Sequence, residues 1–286
     1  VSSIVLNDGR RLAYEDVGGA SGSPVFFFHG TPGSRLARHP DAELTVAAGA
    51  RLITVDRPGY GDSSRRPGRR LTDWASDVSE LADALGLGRF SVVGWSGGGP
   101  HALAVAHQLP ERVAAVALAS PLGAVDAPGA LSTVKPEFRL LWWLRLVPPA
   151  IKFAAWVETE KARKNASRYV KGSWLKGAPP VDRRTIRLTR IREMAESDVA
   201  EAAKQGWVGY FDDLVALTEP WGFSAQEVRQ SVALWHGLAD SWLYPEMARS
   251  LAAALPECDL RLLPNEGHFL VLTNWSDILT DIVRRS

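Results

Sequence analysis

The 286-residue sequence predicts an α/β fold in which helices flank a mostly parallel central sheet and a helical insertion interrupts the chain. Three observations carry this reading. Short apolar runs alternate with helix-patterned segments between residues 24 and 119, the alternation stops from 122 to 218, and it returns from 232 to 285. Such alternation builds right-handed β-α-β units, in which function collects at the carboxyl ends of the strands.

Residues 4–6 and 11–17 flank Asn7-Asp8-Gly9 and read as a hairpin, because Asp-Gly supplies the backbone angles that a tight turn needs. Pro24-Val25-Phe26-Phe27-Phe28 is a continuous apolar run, as expected of a strand covered on both faces, and it ends at His29-Gly30-Thr31-Pro32-Gly33. A helix over 36–48 and a strand over 51–55 follow, then the turn-rich Asp56-Arg57-Pro58-Gly59-Tyr60-Gly61-Asp62-Ser63. The next helix spans 71–85, with Thr72 or Asp73 as its cap and Gly86 as its stop. A strand at 90–93 leads into Gly94-Trp95-Ser96-Gly97-Gly98, a helix follows up to Pro110, and 113–119 is another apolar strand. After the insertion, strands at 232–236 and 259–263 alternate with helices at 245–255 and 275–285.

The insertion is helical over 131–147, 151–169 and 182–205, with Pro148-Pro149 and Pro179-Pro180 as breaks. The expected organisation is a core in two parts, 1–121 and 219–286, with 122–218 as a cap. Residues 131–205 hold 16 Lys/Arg against 8 Asp/Glu, although the whole chain has a formal charge of only +1. Solvated helix faces account for most such excesses; attraction to an anionic substrate or a membrane surface is the sharper reading. Trp142, Trp143, Trp156, Trp174, Trp207 and Trp221 lie in or beside the insertion, most expected in packing and a minority in lining an apolar pocket.

Hydrophobic residues at 46% and charged residues at 23% are ordinary for a globular protein, and the near-neutral charge gives no reason to expect a nucleic-acid partner. Cys258 is the only cysteine, so no intrachain disulfide forms. No apolar run approaches the length of an integral membrane segment, and no signal-peptide pattern opens the sequence; the expected location is the cytoplasm.

Ser96 is the candidate nucleophile. Gly94-Trp95-Ser96-Gly97-Gly98 matches Gly-x-Ser-x-Gly, a strand-to-helix elbow that forces its serine into a strained conformation. A hydroxyl alone is a weak nucleophile, so the motif needs a base and an orienting acid. Asp240 follows the next-to-last predicted strand and His268 follows the last. On these residues the chain resembles the α/β-hydrolase fold enzymes of the serine-nucleophile branch, esterase-like and carrying a helical cap, over nearly its whole length outside the insertion.

The resemblance implies roles. Ser96 attacks an acyl carbon, His268 moves the proton, and Asp240 orients the imidazole, in the family's chain order. Asp126 is the rival acid, since some relatives place it after the preceding strand. The Gly97 amide is one oxyanion donor, and the family match points to Thr31 for the other, because Pro32 has no N–H. His29 takes a structural role, while His39, His101, His107 and His236 sit in helices or a strand.

Other readings compete. Gly97-Gly98-Gly99-Pro100-His101-Ala102 also satisfies Gly-x-Gly-x-x-Ala, but no acidic residue follows at the end of the next strand as a dinucleotide site requires. His29 to Gly33 resembles the loop of proline iminopeptidases, with Thr31 where that group has glycine. Perhydrolases, carbon–carbon bond hydrolases and hydroxynitrile lyases share the same machinery, and a binding-only relative is a further possibility. The expectation is a hydrolase that uses no cofactor or metal and cleaves carboxylic esters of small to medium apolar molecules through an acyl-enzyme.

Overall fold

The computed structural model describes residues 1–124 and 129–286. Eight strands form one sheet: β1 (Ser2–Val5), β2 (Arg11–Gly18), β3 (Ser23–Phe28), β4 (Ala50–Val55), β5 (Phe90–Trp95), β6 (Val113–Ala119), β7 (Val232–Gly237) and β8 (Cys258–Leu263). Their spatial order is β1-β2-β4-β3-β5-β6-β7-β8. β2 runs antiparallel to both its neighbours, and β3 to β8 are parallel.

The apolar strands are buried on both faces. Val25 and Phe27 face one cluster with Val93, Ala117 and Trp235; Phe26 and Phe28 face the other with Val92, Leu118 and Leu234. Alternate side chains point to opposite faces, so a strand between two helical layers must be apolar throughout. The first layer contains α2 (Trp74–Ala84), α3 (Gly98–Gln108) and α10 (Pro245–Ala254); the second contains α1 (Ala42–Ala47) and α12 (Trp275–Arg285). In α12 the buried Trp275, Ile278, Leu279 and Ile282 make one helical stripe, with Arg284 and Arg285 in the last turn where cations suit the helix dipole.

The expected helix over 36–48 is shorter: α1 begins after Pro40, because a residue preceding proline is disfavoured in the helical region and Asp41 caps the Glu43 amide. Between β6 and β7 the chain forms α4 (Pro136–Leu144), α5 (Pro148–Lys164), α6 (Ala166–Tyr169), α7 (Pro180–Arg187), α8 (Thr189–Ala202) and α9 (Val208–Thr218). Pro148 and Pro149 open α5 instead of preceding it, as the first turn of a helix permits. The helix expected over 182–205 divides at Leu188, which is extended, and α9 is an additional helix. The short α11 (Leu270–Thr273) follows the loop after β8.

Candidate active site

The loops after β3, β5, β7 and β8 meet at the carboxyl edge of the sheet. Ser96 follows β5 with φ +53°, a left-handed conformation that a serine adopts only under constraint. The flanking glycines make the bend sterically possible. A Cβ on Gly94 would lie 2.5 Å from the Gly98 carbonyl oxygen, and one on Gly98 would collide with the Phe28 carbonyl.

The structure brings Ser96, His268 and Asp240 into one line. Ser96 Oγ lies 3.0 Å from His268 Nε2, and His268 Nδ1 lies 2.8 Å from Asp240 Oδ2. Asp240 Oδ1 accepts from the Trp242 and Leu243 amides, leaving Oδ2 for the imidazole. Burial alone would raise the Asp240 carboxyl, but His268 and its hydrogen bond outweigh it, and the acid is held below its ordinary value. With the carboxylate at Nδ1, the neutral tautomer has Nε2 free to accept the serine proton. The Trp95 indole donates to the His268 carbonyl at 3.1 Å, and the Trp242 ring lies 4.8 Å from the imidazole. His236, read from the sequence as a strand residue, also reaches the acid: its Nε2 is 3.6 Å from Asp240 Oδ2.

Thr31 and Gly97 line the same cavity as Ser96. Among the described residues, neither backbone N–H donates to a protein acceptor. A Cβ on Gly97 would collide with the Thr31 hydroxyl, so the glycine after the serine and the threonine of the opposite loop are matched in size.

A buried ionic network fixes that loop, and the sequence reading does not find it. Arg57 donates to the carbonyls of His29 (2.6 Å) and Gly30 (2.9 Å) and to Thr31 Oγ1 (2.8 Å). Its charge is met by Asp213 of α9 at 2.6 Å, which also accepts from Arg69, Tyr60 and Thr31. Burial opposes ionisation of Asp213, but the two guanidiniums outweigh it and hold the carboxyl well below the usual range. His101, on α3, donates from Nδ1 to the Gly97 carbonyl at 2.9 Å; burial and Arg57 push its pKa down to about 3, so it stays neutral. The available signals are the arginine inside Asp56-Arg57-Pro58-Gly59 and two adjacent aspartates, Asp212 and Asp213, in an otherwise apolar helix.

Two more aspartates from the helical segment reach the same loops. Asp182 of α7 accepts from the His268 amide (3.0 Å) and the Phe269 amide (3.2 Å). Asp198 of α8 accepts from the backbone and side chain of Ser34, both at 2.7 Å.

Over Ser96 lies a cavity of about 80 Å³, walled by residues such as Phe138, Leu141, Trp142, Tyr210 and Leu214; among the described residues its lining has no charged side chain. Of the six tryptophans in or beside the segment, only Trp142 lines it, whereas Trp174 and Trp221 are buried elsewhere and Trp143 and Trp156 face solvent. Asp126, the rival acid, lies outside the described residues. Among the described residues no group of three or more His, Cys, Asp or Glu side chains could hold a metal ion, and no helix is long and apolar enough to cross a membrane.

Comparison with known proteins agrees with this architecture. The family model for the alpha/beta hydrolase fold matches residues 23–274. The chain is 28% identical to a proline iminopeptidase of Xylella fastidiosa, over 98% of this chain and 74% of that protein. It is 35% identical to a non-heme chloroperoxidase of Streptomyces lividans, over 42% of this chain and 44% of that one. The match covers between 32% and 44% of the length of the first three curated relatives. Among solved structures, the enol-lactonase of Burkholderia xenovorans superposes with a TM-score of 0.71 at 19% identity, covering 99% of each chain. The match to the family model across most of the chain, together with the parallel sheet it covers, establishes that this protein belongs to the alpha/beta hydrolase fold family.

Proposed function

We propose that the chain is a serine hydrolase acting on carboxylic esters of small to medium apolar molecules, with residues 122–218 as a cap over the site. The observation that carries this is the hydrogen-bonded line Ser96–His268–Asp240 beside an apolar cavity edged by two undonated amides. His268 Nε2 takes the proton from Ser96 Oγ as the oxygen attacks the ester carbonyl. The amides of Thr31 and Gly97 receive the tetrahedral oxyanion, where each aligned donor contributes about 3–4 kcal/mol. The imidazolium, stabilised by Asp240, returns its proton to the departing alcohol, and water then releases the acyl group by the same steps.

Esters are favoured over amino-terminal peptides by the cavity lining. A substrate ammonium taken from water into an apolar wall needs a carboxylate partner, and among the described residues the lining supplies none. The test is an activity-based fluorophosphonate probe combined with a panel of p-nitrophenyl esters, lactones and amino-acid amides. Ser96 should be labelled, esters should be hydrolysed, and Ser96→Ala should abolish both while leaving the fold intact. Wild-type-like turnover by Ser96→Ala would remove the mechanism, and faster cleavage of prolyl amides than of esters would replace the substrate class.

A further inference from the structure

Six of the large apolar side chains that face solvent lie within residues 140–156: Leu140, Trp143, Leu146, Val147, Phe153 and Trp156. Trp143 is 57% exposed, Phe153 63% and Trp156 46%, whereas isolated surface apolar residues are usually scattered singly. Their spacing follows the helices. In α5 the exposed positions Pro149, Lys152, Phe153 and Trp156 form one stripe, opposite the buried Ile151, Ala155, Thr159 and Ala162. Leu140 and Trp143 share the outer side of α4, and Leu146 and Val147 continue the apolar surface through the turn.

Cations outnumber carboxylates here: Glu137, exposed in the first turn of α4, is the one acid of that helix, and beyond it the charges have one sign as far as residue 157. Residues 138–157 contain Arg139, Arg145 and Lys152 and no Asp or Glu. Among the described residues none of the three has a carboxylate within ion-pair distance; Arg145 and Lys152 lie over the rings of Trp142 and Trp207 instead. The acidic residues next along α5, Glu158 and Glu160, are each paired with a cation, Lys161 and Arg163.

From these observations we propose that the outer face of α4 and α5 docks on an anionic lipid bilayer. Tryptophan and phenylalanine on a helix lying in the interfacial plane are the side chains that enter the headgroup boundary, and unpaired cations beside them are attracted to anionic lipid. The inner side of the same α4 supplies Phe138, Leu141 and Trp142 to the cavity over Ser96. A docked molecule thus holds one wall of its site against the phase in which apolar esters concentrate. The docking stands independently of the hydrolase reading; only the delivery of substrate rests on it.

The test is co-sedimentation with vesicles of equal parts phosphatidylcholine and phosphatidylserine, compared with phosphatidylcholine alone, with hydrolysis of a water-soluble short-chain ester measured in parallel. Binding should be about fivefold to a hundredfold weaker on the neutral vesicles, since each cation that reaches the headgroups contributes about fivefold and Lys152 is the exposed one of the three. Lys152→Gln should weaken binding about fivefold, and Phe153→Ser with Trp156→Ser by more than about tenfold. Soluble-ester turnover and the urea midpoint should stay unchanged in these variants. Equal binding to both vesicle types, no sedimentation, or a dimer that dissociates on Phe153→Ser/Trp156→Ser would each overturn the proposal, the last by assigning the face to a second copy of the chain. Vesicle binding without Ser96 labelling would leave the docking intact and remove the hydrolase reading; labelling without binding would do the reverse.

Discussion

Asp213→Asn isolates the network beneath the loop of His29, Gly30 and Thr31, the proposed oxyanion loop. Both Asp213 and Arg57 are fully buried, and Arg69 is nearly so, which places two guanidiniums around one carboxylate away from water. Asparagine keeps the shape and removes the charge, leaving a net charge of +2 in the cluster and turning an amide NH₂ toward donors. Breaking a buried ion pair in this way costs about 3–5 kcal/mol. At about 2–4 °C per kcal/mol for a chain of this size, the melting temperature should fall by roughly 6–20 °C. Total stability is commonly about 5–15 kcal/mol, so the variant should still fold and its kinetics can be measured.

The kinetic signature should be a split. Arg57 holds the His29 and Gly30 carbonyls and the Thr31 hydroxyl only while its own charge is balanced, and in the proposed mechanism the Thr31 amide serves the transition state more than the ground state. We expect kcat to fall about tenfold to a hundredfold with KM little changed. The stability loss also has a pH sign. The folded-state pKa of Asp213 is depressed, so its contribution is present above the unfolded value of about 3.9 and is lost as pH falls through the folded value. Urea unfolding of both proteins from neutral to strongly acidic pH should therefore bring the two curves together. A neutral-pH difference below about 1 kcal/mol with kcat unchanged would refute the network's role, since even a modest buried-pair loss exceeds it.

Other consequences can be checked with the same assays. Asp240→Asn should lower kcat by about 10⁴-fold, the scale seen when the orienting acid of a serine triad is neutralised, and full activity in that variant would return the role to another carboxylate. Gly97→Ala should lower kcat by up to about a hundredfold through collision with Thr31, and should be milder in a Thr31→Gly background; strict additivity in the double-mutant cycle would show that the two residues do not compete for space. Burial, only partly offset by Ser34, pushes the Asp198 carboxyl up to about 7. Its contribution is thus full below about pH 3.9 and lost as pH rises to about 7, so urea midpoints of the wild type should decline across that window relative to Asp198→Asn, and parallel curves would contradict the assignment.

The elements that the sequence exposes are those whose cause is local. The runs at 24–28 and 113–119 are apolar because both faces of each strand are covered, and the stripe of α12 is visible at helical spacing. The hydrogen-bonded line of Ser96, His268 and Asp240 is legible for a related reason, since each of the three follows a strand. Helix α9 was hidden because Gly209 and the pair Asp212-Asp213 interrupt its apolar pattern, and those aspartates make sense only against Arg65, Arg57 and Arg69. The contact from Thr31 to Asp213 spans 182 positions, and nothing in the local pattern of either residue encodes it. The exposed Trp143 and Trp156 show the opposite limit: composition marks an aromatic residue as a packing element, but only the fold decides whether anything packs on it.

Under the proposed function, three buried aspartates also constrain how substrate would reach Ser96. Asp182, Asp198 and Asp213 come from α7, α8 and α9, and each accepts hydrogen bonds from a loop on the sheet edge, at His268 and Phe269, at Ser34, and at Thr31. A rigid swing of the whole helical segment would pull Asp213 away from two guanidiniums and strand several buried amides, a cost of the order of the protein's total stability. Helix α4 has no buried carboxylate of this kind; its tie is at its start, where the Lys135 amide donates to the Trp242 carbonyl and the Tyr244 amide to that of Thr133. None of its residues is fully buried, and Arg139, its one hydrogen-bonded side chain among the described residues, reaches only to Ser132 and Val134. Since α4 also walls the cavity through Phe138, Leu141 and Trp142, displacing it alone opens the site while α7, α8 and α9 keep the loops that hold Thr31 and His268 in place.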